Sequence, residues 1–298
     1  MPRILALGDN VVDRFLDRAI MYPGGQAMNV SVYAHMLGVD SAYMGVFGND
    51  ENAELNINIL KKFGIDFSRC RILNGKNAVA YVKTDNGERI FIESNKGGVA
   101  RNYNWDFTEG DLSYIANFNL IHTDQNSYIE NELSKLYDYG VKVSYDFSEN
   151  LNEEYLKMCA PYCYIAFIST GNHSEDYVLE LMRDISQYNP VIVVATRGIL
   201  GSVALFQEQY FYQESFPVQV KDTMGAGDSF AAGFLVSLLK SSRFSSDSVK
   251  VALYDGAKMA ARICGLEGSY GHGRPFVLTQ MENSKLIESK NTNTRGYL

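Results

Sequence analysis

Short apolar runs alternate with segments of helical period along almost the whole chain. Ile4 to Leu7 and Ala42 to Phe47 read as strands. Leu120 to His122, Val141 to Tyr145, Tyr164 to Ser169 and Val191 to Ala195 continue the series. The stretches between them, about Met28 to Met36, Asn52 to Phe63, Ile129 to Tyr139 and Glu175 to Tyr188, read as helices. This alternation predicts an α/β fold, a mainly parallel central sheet with helices on both faces. Such sheets bind ligands beyond the carboxyl ends of their strands, so the loops that leave strands carry the most information.

One stretch breaks the pattern. Ala78 to Lys83 and Glu88 to Glu93 are two alternating strands around Thr84-Asp85-Asn86-Gly87, an Asn-Gly hairpin. A hairpin cannot enter a parallel sheet as a crossover unit, so it is expected outside the core, as a flap or small second sheet. A second hairpin, Gly201 to Phe206 with Gln209 to Gln213, comes late in the chain. After Thr279 the sequence turns polar and is expected to fray.

Composition removes several classes of function. Twenty-seven Lys and Arg against 35 Asp and Glu give a net charge of −8, unsuited to neutralising nucleic-acid phosphates. The strongest apolar run, Val191 to Ala195, is far too short to span a bilayer. The apolar start turns polar at Gly8-Asp9-Asn10, too soon for a secretory signal, and the expectation is a soluble cytoplasmic protein. Four cysteines without a C-x-x-C pair read as reduced structural thiols, and the four histidines show no metal-ligand spacing.

The most specific string is Asp222-Thr223-Met224-Gly225-Ala226-Gly227-Asp228-Ser229-Phe230, followed by the small and apolar Ala231-Ala232-Gly233-Phe234-Leu235. The composition after Gly227 is helical, which puts the glycines at a helix start. Exposed N–H groups and the positive end of the helix dipole form an anion site there. A carboxylate beside an anion site repels a merely bound phosphate. It makes sense if Asp228 takes a proton from a hydroxyl that attacks phosphorus, which is a phosphoryl-transfer arrangement. Gly24-Gly25-Gln26-Ala27-Met28-Asn29 opens a second helix, with Asn29 a donor and acceptor for a polyol, although paired glycines are also ordinary turn chemistry. Asp13, after Gly8-Asp9-Asn10, could accept from two sugar hydroxyls or merely terminate a strand. Thr196-Arg197-Gly198-Ile199-Leu200-Gly201 leaves a strand, and reads equally well as a strand-to-hairpin turn.

Together these strings resemble the PfkB family of carbohydrate kinases, also called the ribokinase family, from Gly8 to about Gly271. Asp222 to Asp228 matches its D-T-x-G-A-G-D signature and Gly24 to Asn29 its G-G-x-x-x-N. Within the family the nearest pattern is that of the fructoselysine 6-kinases. Gly8-Asp9-Asn10 through Asp13, Gly24-Gly25 to Tyr33, Tyr145-Asp146-Phe147-Ser148 and Asp222 to Phe234 carry that likeness. The resemblance implies a single ribokinase-like domain over 1–298 with a β lid from about 10–24 and 72–101, which in the family frequently dimerises. It implies Asp228 as catalytic base, with the N–H groups of Gly225, Ala226 and Gly227 holding the migrating phosphoryl group. Asp13, Gly24, Gly25 and Asn29 would hold the sugar. Thr196, Gly198 and Gly201 would lie along ATP, with Ala257 near the adenine. Asp222 and Thr223 would sit at a monovalent-cation site suited to K+. Asn172-His173-Ser174-Glu175 fits the family's N-x-x-E letters, so Glu175 is either linked to Mg2+ or a helix-capping residue.

Rival readings lack their signatures. A dinucleotide-dependent dehydrogenase wants G-x-G-x-x-G after the first strand, and a Walker-type ATPase wants G-x-x-x-x-G-K-[ST]; neither is present. A catalytically silent sugar sensor would be expected to lose Asp228 or the glycines, and all remain. The expectation is an ATP-dependent kinase acting on a hydroxyl of a sugar or sugar–amine adduct. Fructoselysine is the first choice, and a free ketose or pentose the alternative.

Overall fold

The computed structural model describes residues 2–85, 88–241 and 243–293. The chain opens with β1 (Arg3–Gly8), then β2 (Val11–Phe15), β3 (Ile20–Gly24), α1 (Gln26–Met36), β4 (Asp40–Phe47), α2 (Glu51–Phe63) and β5 (Arg71–Ile72). The hairpin follows as β6 (Ala78–Asp85) and β7 (Glu88–Ser94); its Asn86-Gly87 turn lies outside the described residues. Next come α3 (Glu109–Ile115), β8 (Leu120–Asp124), α4 (Leu133–Asp138), β9 (Val143–Asp146), α5 (Glu153–Cys159), β10 (Ile165–Ser169), α6 (Glu175–Ser186) and β11 (Ile192–Thr196). The chain continues through β12 (Ser202–Phe206), β13 (Gln209–Gln213), α7 (Ala226–Lys240), α8 (Ser246–Cys264), β14 (Arg274–Pro275) and α9 (Gln280–Asn293).

Among the described residues, nine strands form the central sheet in the order β13-β12-β11-β10-β9-β8-β1-β4-β5. All neighbours from β11 to β5 run parallel, and only the β12–β13 hairpin adds antiparallel strands at one edge. The apolar runs are near-continuous because both faces are covered. Ile4 and Ala6 pack with α1, α7 and α8, whereas Leu5 and Leu7 pack with residues of α3 to α6 on the other face. The predicted α/β plan is therefore the observed one. From β1 the chain proceeds first to β4 on one side and later to β8 on the other. That switch in direction opens a crevice at the carboxyl ends of β1 and β8.

The hairpin stays out of this sheet, as its alternation required. Five described strands, in the order β14-β3-β2-β6-β7, make a second sheet. On one face Phe15, Tyr22 and Val82 meet Met224 from the loop before α7, which turns this face toward the crevice. The other face places Val12 and Met21 against Leu55 of α2. The alternation of apolar and polar positions did not mark β2 and β3, which the resemblance had included in a β lid over about 10–24, nor did it show that Arg274–Pro275 would join beside β3.

Two further expectations are corrected. Ile129 to Tyr139 is not one helix: a short 3-10 turn at Glu130–Glu132 precedes α4. The polar stretch after Thr279 does not fray at once but forms α9, held by charge rather than by an apolar face. Glu282, almost fully buried, pairs with Arg14 at 3.3 Å, Lys285 pairs with Glu93, and Lys83 Nζ donates to the Ser289 carbonyl at 2.8 Å.

Burial has a measurable consequence at His122 in β8. The ring is fully buried beside Phe167, and among the described residues its one hydrogen-bond partner is Ser144 Oγ, at 3.2 Å through Nδ1, so desolvation lowers its pKa to about 3. In the unfolded chain the ring takes up a proton below about pH 6.5. Its contribution to stability is therefore intact above that pH and is lost as pH falls from about 6.5 toward 3, by up to about 1.4 kcal/mol per pH unit. Carboxyls with raised pKa act in the opposite sense, so the informative measurement is a comparison. In urea melts between pH 7 and 4, His122→Asn is expected to lose stability less steeply than the wild type. Parallel curves would exclude this role for His122.

Candidate active site

The loop into α7 is tied down before the helix starts. Asp222 accepts the Met224 N–H with Oδ1 at 3.0 Å and the Gly268 N–H with Oδ2 at 3.1 Å. Gly225 then takes a left-handed conformation, φ 75°, as the N-cap residue. A Cβ there would lie 2.4 Å from Tyr33 Oη, whose hydroxyl donates to the Ser269 carbonyl at 2.5 Å. Only glycine permits both the backbone angle and this approach. The helix start has no side-chain cap. The Ala226 N–H is returned to the Thr223 carbonyl at 3.1 Å, while the first-turn N–H groups of Gly227 and Asp228 have no intrahelical acceptor. They face outward as donors beside the positive end of the dipole.

α1 begins opposite. Its N-cap residue Gly25, φ 109°, presses against the backbone of Asn10, and a Cβ would come within 2.4 Å of Asn10 Cα. Asp9 Oδ1 accepts the Ala27 N–H at 2.8 Å and fixes this start. Packing of α1 on α7 then sets Asn29 against Asp228, with Asn29 Nδ2 donating to Asp228 Oδ2 at 2.6 Å. The Asn29 amide oxygen is buried and receives no donor among the described residues. Asp13 lies beside Gly24: a Cβ on that glycine would be 3.3 Å from Asp13 Oδ2. Thus Asp13, Gly24, Gly25, Asn29 and Asp228, scattered over more than two hundred positions, converge around the crevice.

Electrostatics match proton transfer. Burial raises the Asp228 pKa to about 7, aided by the charges of Asp146 and Asp9 and opposed by the Asn29 hydrogen bond and the Arg89 guanidinium. Burial likewise lifts Asp146 to about 6 against the Ser148 N–H, and lifts Asp13 despite the Arg89 charge beside it. Asp9 and Asp124 form a buried pair. Burial raises both, and the charge of Asp9 raises Asp124 further, so a shared proton is favoured. Asp9, Asp124 and Asp146 stand at the carboxyl ends of three adjacent strands, β1, β8 and β9. Their roles escaped sequence reading because single aspartates after strands look like turn formers. Strand-end position was the available signal.

A cavity of about 300 Å³ opens on the other side of the α7 start. Thr196, Gly198, Gly201 and Ala257 all line it, together with Thr223, Ala226 and Gly227 at its polar end. Phe216, Val218, Phe230 and Ala260 supply an apolar body suited to a planar base. Glu175 is not among the lining residues. It is the exposed first residue of α6, within reach of Tyr212, and the cap is Ser174, which accepts the Tyr177 N–H. Asn172 lines a separate cavity of about 530 Å³ beyond β10. Among the described residues no group of three or more His, Cys, Asp or Glu is placed to hold a metal ion, and no helix is long and apolar enough to cross a membrane.

The chain as a whole has counterparts among known proteins. The model of the pfkB family of carbohydrate kinases matches residues 16–271. The chain belongs to that family. This sugar kinase is 39% identical over 277 residues to the fructosamine kinase FrlD of Bacillus subtilis, covering 93% of this chain and 95% of the relative. It is 29% identical to the fructoselysine 6-kinase of Escherichia coli over 235 residues, 79% of this chain and 88% of the other. Among solved structures, the fructokinase of Xylella fastidiosa with bound ATP superposes with a TM-score of 0.76 at 17% identity, covering 97% of this chain and 99% of that one. That likeness establishes the ribokinase-type fold.

Proposed function

We propose that the acceptor of this kinase is a ketose–amine adduct of the fructoselysine type, and that its hydroxyl comes up beside the Asn29–Asp228 pair. One observation carries the placement: the Asn29 amide pins the Asp228 carboxylate at 2.6 Å while its own buried oxygen has no donor among the described residues. A hydroxyl satisfies that oxygen or gives its proton to Asp228, within hydrogen-bond reach of both. Asp228 takes the proton as the hydroxyl oxygen forms its bond to the γ-phosphorus of ATP. The bond from that phosphorus to the β-phosphate oxygen breaks, and ADP leaves. The N–H donors at the Gly225-Ala226-Gly227 helix start offset charge on the transferring group.

ATP is assigned to the cavity lined by Thr196, Gly198, Gly201 and Ala257, with its phosphates toward Gly227. Magnesium would travel on those phosphates, and Glu175, exposed at the start of α6 and outside the cavity lining, would act on it through solvent. Asp222 and Thr223 would serve a monovalent cation such as K+. The small sheet would act as the lid, excluding water so that phosphate passes to the sugar. Its edge strand β7 is where a second copy of the chain would pair. The cytoplasm, with its ATP pool, is the compartment this reading requires.

Two things support an amine-bearing acceptor: the 39% identity to a fructosamine kinase, and the crowding of Asp9, Asp13, Asp146 and Asp228 around the crevice, which suits a protonated amine. The test is an ADP-release assay over a panel of acceptors. Fructoselysine is expected to exceed free fructose and ribose in kcat/KM by about 10²-fold or more, the scale of one well-placed charge-assisted contact or two. A free sugar that equals or surpasses it overturns the choice of acceptor.

A further inference from the structure

Arg89 is the residue of the small sheet whose place the reaction described above does not explain. It stands in β7 opposite Thr84, and its Nη2 donates to Asp13 Oδ1 at 2.7 Å. Asp13 is almost wholly buried, whereas the Arg89 side chain keeps a third of its surface exposed. A guanidinium that served only to neutralise Asp13 would be expected to sink with it. Instead its charge acts on both Asp13 and Asp228, so it lies on the acceptor side of the site, where Asp222, Asp9 and Asp146 are the surrounding charges. On this side the Ala27 and Met28 N–H groups at the start of α1 are already given to Asp9. Asp13, Asp228 and the Asn29 oxygen offer only acceptors to a ligand.

We propose that Arg89 contacts the acceptor directly and sets its specificity, Asp13 and Arg89 together recognising two neighbouring hydroxyls of the sugar. The inference rests on the kinase reading above but not on which adduct is used. A guanidinium has five N–H donors in a rigid fork, and Asp13 engages one nitrogen. Among the described residues the others have no acceptor, and they remain for a hydroxyl oxygen, while Asp13 accepts the O–H of the next hydroxyl. A vicinal diol fits such a donor–acceptor couple, and a lone alcohol uses half of it. The same cation disfavours a protonated amine placed directly beside it.

The experiment uses the full-length enzyme, the acceptor that the wild type phosphorylates best, and the monodeoxy analogues of that acceptor. Arg89→Met is expected to raise the acceptor KM about 10- to 100-fold, the scale of a lost charge-assisted hydrogen bond, with the KM for ATP unchanged. Arg89→Lys, which keeps the charge without the fork, is expected to fall between. At least one deoxy analogue should bind much worse than the parent acceptor to the wild type and no worse than it to Arg89→Met. An unchanged acceptor KM, equal rises in both KM values, or deoxy penalties identical in wild type and variant overturn the proposal. Should thermal melting show Arg89→Met unfolded, the Lys variant decides by the same three readouts. If the best wild-type acceptor proves to be a free sugar, the adduct assignment fails while the Arg89 test stands. If the wild type phosphorylates no sugar, the kinase reading itself fails.

Discussion

Asp228→Asn is expected to lower kcat by about 10²- to 10⁴-fold while leaving acceptor and nucleotide binding close to wild type. The substitution is nearly isosteric, and the asparagine carbonyl can still accept the Asn29 Nδ2 donor now held at 2.6 Å. What disappears is the basic oxygen. Turnover near the wild-type rate would remove Asp228 as the base. The pH dependence provides a second measure. With its pKa raised to about 7 by burial, the free carboxyl is the wrong form for accepting a proton below neutrality. Because the base works only when ionised, kcat/KM should fall about tenfold per unit as pH drops below about 7, and level off above it. Asp146→Asn removes one of the negative charges that raise Asp228, so the limb should move toward lower pH in that variant. A limb that stays in place would mean that Asp146 does not face the base.

The parts of this fold that could be read from sequence are those where physics leaves few choices. A strand buried on both faces must be apolar throughout, and the β1, β4, β8, β10 and β11 runs stood out for that reason. β2 and β3 did not, because Val11–Phe15 carries Asp13 and Arg14 and Ile20–Gly24 contains Pro23, as befits a small sheet with one face on a polar site. α9 was hidden differently: its polar sequence looks unstructured, and only the positions of Glu93, Arg14 and Lys83 reveal its partners. The site shows the same division. Glycine strings at helix starts were legible because a positive-φ N-cap pressed against neighbouring atoms admits nothing else, as at Gly25 and Gly225. Asp9, Asp124 and Asp146 needed the order of the sheet before their nearness could be known. Arg89 is 76 positions from Asp13, and no spacing rule links a strand of the second sheet to that carboxylate.

The two glycines that flank Ala226 should respond to alanine in opposite ways, because they lack a Cβ for different reasons. At Gly225 the obstacle is the protein. A methyl there meets Tyr33 Oη and Ser269 Cβ at 2.4 and 2.9 Å and sits on a left-handed residue, φ 75°. Gly225→Ala is therefore expected to cost about 2–4 kcal/mol of stability, from backbone strain and overpacking together. At Gly227 nothing lies within 4 Å of the position a Cβ would take, although the residue lines the nucleotide cavity. In a helical turn alanine is intrinsically better than glycine by up to about 1 kcal/mol, so Gly227→Ala should melt at the wild-type temperature or about 2 °C above it. Its methyl instead projects into the space assigned to the transferring phosphoryl group, where a displacement of about 1 Å costs on the order of 10²-fold in rate. Scanning calorimetry and turnover measured on the same preparations separate the two cases. A Gly227→Ala enzyme that is stable and slow places the phosphoryl group against the start of α7. One that is stable and fully active moves the phosphoryl group elsewhere.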